Sequence, residues 1–210
     1  MINTSEKKEK YIEIAVTDGY DMDAVKSSLD ELARLLDTAG AESVYQLTQT
    51  MESPSPATYI GKGKIDELRE FIDAFDADGV ISDDELTPAQ MGNLEQALNV
   101  KVIDRTMLIL DIFAQHATTR EGKIQVEMAQ LQYKSSRLSG SAGVAMSRLG
   151  GGIGTRGPGE SKLETDRRRI RDRISSLRKQ LKEMEKNREN TRKSREKNQI
   201  PVFAIVGYTN

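Results

Sequence analysis

Leu163, Ile170, Ile174, Leu177, Leu181 and Met184 follow one another at steps of seven, four, three, four and three residues, and every residue between them is polar or charged. Those steps put all six on one narrow stripe of a single helix, the a/d seam of a heptad repeat. A helix with so thin an apolar stripe needs a partner to cover it. A second helical run stands ahead of it in Ile109, Phe113, Ala117, Ile124, Met128, Leu131 and Leu138, with one irregularity at Thr118 and Thr119. The simplest arrangement packs the two runs on each other as a long antiparallel coiled-coil hairpin over residues 105–198. Residues 140–159, which hold 8 of the chain's 16 glycines, form its tip. Helices of about 33 residues, rising about 1.5 Å per residue, make an arm on the order of 50 Å long.

Residues 1–104 have a different grain. "YIEIAV" (11–16) alternates and is rich in strand formers, and Val25, Leu29, Leu32, Leu35 and Leu36 then recur at helical spacing until Gly40 stops the run. "SVYQLTQT" (43–50) is a second strand. "KIDELREFIDAF" with "GVIS", and "TPAQMGNLEQAL" with "VKVID", supply two further helix–strand pairs. Thr87, Pro88 and Gln90 carry the signature of an N-cap, a first-turn proline and a capping box. Strands separated by helices of this length predict right-handed crossovers and a small, mostly parallel sheet layered with helices. The fold class is therefore α/β, followed by the helical hairpin, with residues 199–210 as a third piece.

Composition removes several chemistries. The chain has no cysteine, which excludes disulfides, thiol catalysis and thiolate zinc sites, and its one histidine, His116, lies in a helical pattern as an ordinary side chain. No apolar run is long enough to span a bilayer and no signal-peptide pattern is present, so the expected location is cytoplasmic. The net charge of -2 conceals a division: residues 1–104 carry 9 Lys+Arg against 22 Asp+Glu, and residues 105–210 carry 22 against 11. A basic half of that density points to a polyanion, most often nucleic acid.

The basic residues cluster at the proposed tip. Arg148, Gly150, Gly151, Gly152, Gly154, Arg156 and Gly157 form a glycine-rich turn with two arginines, and Lys162, Arg167, Arg168, Arg169, Arg171 and Arg173 form a collar behind it. Glycines let a backbone approach an irregular surface, and arginines meet phosphates bidentately or stack on bases. Like charges at i,i+4 repel one another, and a polyanion relieves that repulsion while releasing counterions. Glu160, Glu164, Asp166 and Asp172 neutralise part of the collar in the competing reading, an ordinary charged hairpin.

Three other features are weaker. Gly61, Lys62, Gly63 and Lys64 precede a helix, where free amides accept phosphates, but the spacing fits neither GxGxxG nor GxxxxGK[ST]. "SDDEL" (82–86) groups three acids after a strand and reads as a solvated loop rather than a Mg²⁺ site. At the end, "IPVFAIVGYTN" runs from an apolar strand into Gly207, Tyr208, Thr209 and Asn210, the first four positions of a phosphate-binding GxxxxGK[ST] loop. A stop at that point suggests a piece of a longer protein.

"YIGKGKIDEL", "VIDRTMLILDIFAQHATTREGKIQVEMAQLQY", "RLGGGIGTRGPGESKLETDRRRIRDRI" and "VFAIVGYTN" together resemble the amino-terminal part of HflX-type GTPases, of the Obg-HflX group. The resemblance implies an α/β subdomain and a helical hairpin ahead of a Ras-like G domain. It implies a protein that binds the large ribosomal subunit and splits or keeps apart ribosomal subunits, often under stress. On that analogy the tip, from Arg148 to Ser161, contacts ribosomal RNA near the peptidyl-transferase region, and the collar holds the RNA backbone. Gly207 to Asn210 begin a GYTNAGKS loop for GTP and Mg²⁺. The loop lysine, the Mg²⁺-binding residue and the guanine-reading residues are not among these 210 residues, so this chain by itself is expected neither to hold GTP tightly nor to hydrolyse it. Two alternatives stay open: a coiled-coil adaptor for protein partners, and an independent nucleotide-binding α/β domain using Gly61 to Lys64.

Overall fold

The structure, a computed structural model, describes the backbone of residues 8–148 and 158–197 and the side chains of residues 8–137 and 164–195. Its first part alternates strand and helix: β1 (Lys10–Thr17), α1 (Met22–Thr38), β2 (Glu42–Thr50), α2 (Lys62–Phe75), β3 (Gly79–Ser82), α3 (Pro88–Leu98) and β4 (Lys101–Asp104). The four strands form one sheet in the order β2-β1-β3-β4, every neighbouring pair parallel, as helix-length crossovers require.

Side-chain alternation along the strands divides the core in two. Ile12, Ile14, Val80 and Val102 face Ile65, Leu68 and Ile72 of α2 and Leu94 and Leu98 of α3. Tyr11, Ala15, Ile81 and Ile103 face the other way, onto Leu29, Leu32 and Leu36 of α1. The helix ends follow local chemistry. Thr87 and Gln90 close the expected capping box at α3, and Asp76 and Asn99 end α2 and α3 in the left-handed conformation.

After β4 come α4 (Arg105–His116), α5 (Arg120–Arg148) and α6 (Pro158–Lys197). Here the structure corrects the sequence reading in two places. The helical run from residue 105 is not one rod, because Ala117 turns extended and the Thr119 hydroxyl accepts the Gly122 amide to begin a new helix. The helix on the near side of that break, α4, sends Leu108, Met107 and Ile112 into the sheet's second core rather than into an arm, while Phe113 stays 57% exposed. The second concerns residues 140–159: helix α5 continues through 140–148 and α6 starts at Pro158, so Gly140, Gly143 and Gly159 lie within helices.

Helices α5 and α6 lie against each other and run in opposite directions: Glu127 pairs with Arg173, and the earlier Glu121 with the later Arg188. Ile124 and Leu177 are the buried residues of the two helices among those described. Ile170, Ile174, Leu181 and Met184 of the heptad stripe are each partly covered. The stripe is therefore the side of α6 turned from water.

Candidate nucleic-acid interface

The collar sits on α6, where about 100° separates successive residues. Measured round the helix, the stripe Ile170, Ile174, Leu177 and Leu181 is one side, Arg168 and Asp172 lie roughly opposite it, and Arg169 lies on a flank. The arginines thus encircle the helix instead of forming one face. Their partners differ. Arg173 reaches across to α5 and gives two bonds to Glu127, Nε to Oε1 at 2.7 Å and a terminal nitrogen to Oε2 at 3.0 Å, a bidentate clamp between the helices. The Glu127 carboxylate shifts the Arg173 pKa upward, holding it charged. Arg171 donates to Glu164 at 2.9 Å, and Arg169 lies 3.6 Å from Asp166 while remaining 77% exposed. Arg168 is exposed and Arg167 partly so, and neither has an ion-pair partner among the described residues.

The six collar residues of the sequence therefore separate by role. Arg173 links α6 to α5, Arg169 and Arg171 are shared with local acids at the surface, and Arg167 and Arg168 have no ion-pair partner among the described residues. The Lys162 and Arg148 backbones are helical, but their side chains lie outside the described residues. Gly150, Gly151, Gly152, Gly154, Arg156 and Gly157 of the tip, and Gly207, Tyr208, Thr209 and Asn210 of the phosphate-loop start, also lie outside them.

The α/β part treats its charges differently. At the start of α2 the Gly61 amide, the N-cap donor suggested for phosphate, is taken by Gln49 Oε1 at 2.7 Å. The Gly61 carbonyl accepts from Lys64 and Ile65, and Lys64 Nζ is paired with Glu67 at 2.8 Å. Lys62 and Gly63 are the first helical residues and are exposed. Of the acids of 82–86, Asp84 and Glu85 are exposed and Asp83 is partly buried, and each has a partner. Asp83 accepts from Arg105, Asp84 accepts the Tyr59 hydroxyl at 2.7 Å, and Glu85 lies 3.6 Å from Arg137.

The strand order places the topological switch between β1 and β3, where open α/β sheets take ligands beyond the strand ends. Arg105 stands beside that point and is bonded to Asp83, to Glu31 at 3.0 Å, and to the Ser28 carbonyl and hydroxyl at 2.8 Å. Among the described residues no three Asp, Glu or His side chains gather in a way that fits Mg²⁺, and no helix is long and apolar enough to cross a membrane.

Sequence reasoning missed three features. Glu13, in the middle of β1, is fully buried; its Oε2 accepts from Gln46 at 3.1 Å and its Oε1 has no hydrogen-bond partner among the described residues. Burial raises its pKa to about 7. Asp104, at the end of β4, is also fully buried and is bonded by Tyr133 and Arg137 of α5. The only advance signal was the four-residue spacing of Tyr133 and Arg137, which puts both on one helix face. Third, a groove of about 670 Å³ opens between α3 and α6, lined by Pro88, Met91, Met107, Tyr133, Arg169 and Ile170.

Comparison with known proteins adds the context. Residues 26–114 match the family described as GTP-binding GTPase N-terminal, and residues 116–195 the family described as GTP-binding GTPase Middle Region. The whole chain is 56% identical to a GTPase HflX of Lacrimispora saccharolytica, of which it covers 49%. It is 57% identical over 88% of its length to a GTPase HflX of Caldanaerobacter subterraneus, covering 43% of that protein, and 45% identical over 91% to that of Escherichia coli, covering 45%. The chain spans about half the length of the curated relatives it matches. Among solved structures, the GDP complex of SsGBP superposes with a TM-score of 0.60 over 86% of this chain and 46% of that one, at 21% identity, a likeness of fold.

Proposed function

This chain belongs to the HflX GTPase family, and on that premise we propose that it is the ribosome-binding amino-terminal module of a GTPase. In this reading α5 and α6 form a coiled-coil arm whose tip and collar meet RNA of the large ribosomal subunit near the peptidyl-transferase region. The longer protein splits subunits or keeps them apart in the cytoplasm, under stress among other conditions. GTP and Mg²⁺ act in a G domain whose phosphate loop begins at Gly207, Tyr208, Thr209 and Asn210. The 210 residues contain the first four positions of that loop and not its lysine, so a titration of this chain with GTP is expected to give no saturable binding at micromolar nucleotide.

The observation that carries the proposal is Arg167 and Arg168, consecutive in sequence on α6 and without an ion-pair partner among the described residues. Unpaired guanidinium groups at that density favour a polyanion, because each phosphate contact releases a counterion. Sedimentation of the chain with purified large subunits through a salt series tests it. Saturable binding that falls steeply with log salt is expected, and binding indifferent to salt, or none at low salt, counts against RNA contact by this module.

One observation favours the adaptor alternative. Arg169, Arg171 and Arg173 all have acidic partners on the hairpin itself, as in a coiled coil built for protein contacts. Salt-insensitive binding to a protein partner is its signature.

A further inference from the structure

We infer that Asp104, Tyr133 and Arg137 form a latch that fixes the direction in which the α5–α6 arm leaves the sheet. The Asp104 carboxylate accepts four hydrogen bonds, two from each side of the junction. From the α/β part, the Met107 amide donates to Oδ1 at 2.9 Å and the Leu86 amide to Oδ2 at 3.2 Å. From α5, the Tyr133 hydroxyl donates to Oδ1 at 2.8 Å and Arg137 to Oδ2 at 2.5 Å. Arg137 also donates to the Leu86 carbonyl at 3.1 Å, and its guanidinium lies 3.3 Å from the centre of the Tyr133 ring. A single buried carboxylate thus ties the end of β4, the loop before α3, the start of α4 and one face of α5 to the same point.

Apolar packing holds α5 less tightly. Ile124 is the one described residue of α5 that is buried, and the others along its length keep some exposure. Apolar contact is non-directional and tolerates sliding, whereas hydrogen bonds to one carboxylate allow one orientation. Arg137 also lies eleven residues before the end of α5, or about 16 Å of helix, so a small rotation at the latch becomes a larger displacement at the tip. Removing Arg137 alone leaves the Asp104 charge buried and underpaired. With the latch made the arm has one direction; with it broken, restraint falls to helix packing such as the α3 and α4 contacts with α5. The inference does not depend on what the arm binds.

The chain has no cysteine, so spin labels can be placed at Lys26→Cys on α1 and Asp172→Cys on α6, both exposed. Pulsed electron–electron resonance on the 210-residue chain then reads the distance between sheet and arm. A single narrow distribution is expected for the otherwise unmutated chain. Its width should at least double in Asp104→Asn/Arg137→Met, which removes both buried charges together while the asparagine can still cap α4, and should rise less in Tyr133→Phe, which keeps the ring under the guanidinium. Circular dichroism confirms that the chains compared are folded. If the double variant does not fold, Tyr133→Phe decides alone. Distributions as narrow as that of the unmutated chain, in whichever of the two folds, overturn the inference and leave helix packing as the determinant of arm direction.

Discussion

Arg105 and Arg168 are both helical arginines, and their surroundings are opposite. Arg105 is 21% exposed at the head of α4, held by Asp83, Glu31 and Ser28. Burial works against its charge, but the two carboxylates outweigh it and the net pKa shift is upward. Arg168 stands on α6 facing solvent, with no ion-pair partner among the described residues. The contrast extends to the regions that carry them. In the α/β part, Asp83, Asp84 and Asp104 each have a partner named by geometry, so the excess of acid there partly serves to fix the fold. Along α6 most of the charge faces water, and its contact with α5 combines the apolar stripe with a few exposed ion pairs. A buried charge must be answered from within the molecule, whereas a surface charge remains available to a partner.

That contrast can be broken most forcefully in the sheet. Leu68→Ala empties a fully buried site on α2 and is expected to lower stability by about 2–5 kcal/mol in urea unfolding. A much smaller loss would mean that the sheet core is not the tightly packed half of the molecule. Glu13 comes next. Its folded pKa, raised to about 7 by burial, exceeds its ordinary value of 4.5. The sign follows from the direction: its contribution to stability is complete below pH 4.5 and is lost as pH rises through about 7. The full span is on the order of 3 kcal/mol. Glu13→Gln should remove that slope from a stability-against-pH curve, and an unchanged slope would place its origin elsewhere. Tyr59→Phe leaves the Val16 amide and Asp84 without the hydroxyl and should cost about 1–3 kcal/mol. Arg173→Gln sharpens the comparison from the other side. Its clamp to Glu127 is exposed, so the melting curve is expected to stay within experimental scatter. A clear loss of stability there would show that surface charge on α6 is structural after all.

The sheet was legible because its signals are local. Alternation in "YIEIAV", the helical spacing of Leu29, Leu32 and Leu36, and the Thr87–Gln90 capping box each specify one element within a few residues. What was not legible depends on distance in sequence. Asp104 is the N-cap of α4, but its bonds to Tyr133 and Arg137 span 29 and 33 residues. The break after His116 was visible only as an irregularity, because Thr118 and Thr119 interrupt the spacing without a glycine or proline to mark it. The sequence groups the collar arginines as one set, yet their division into paired and unpaired rests on Glu127, 46 residues away from Arg173, and on the local acids Glu164 and Asp166. Composition counts charges; it does not show which are answered.

The most direct test of the account sets two charge reversals of equal size against each other. Affinity for purified large ribosomal subunits is measured at one moderate salt concentration for the unmutated chain, for Arg167→Glu/Arg168→Glu on α6, and for Lys26→Glu/Lys62→Glu at exposed positions of the α/β part. The account expects the α6 variant to lose at least tenfold in affinity, with its melting curve unchanged, and the α/β variant to bind like the unmutated chain. Equal losses in both would reduce the effect to net charge, and a loss confined to the α/β variant would contradict the assignment of the arm as the binding element.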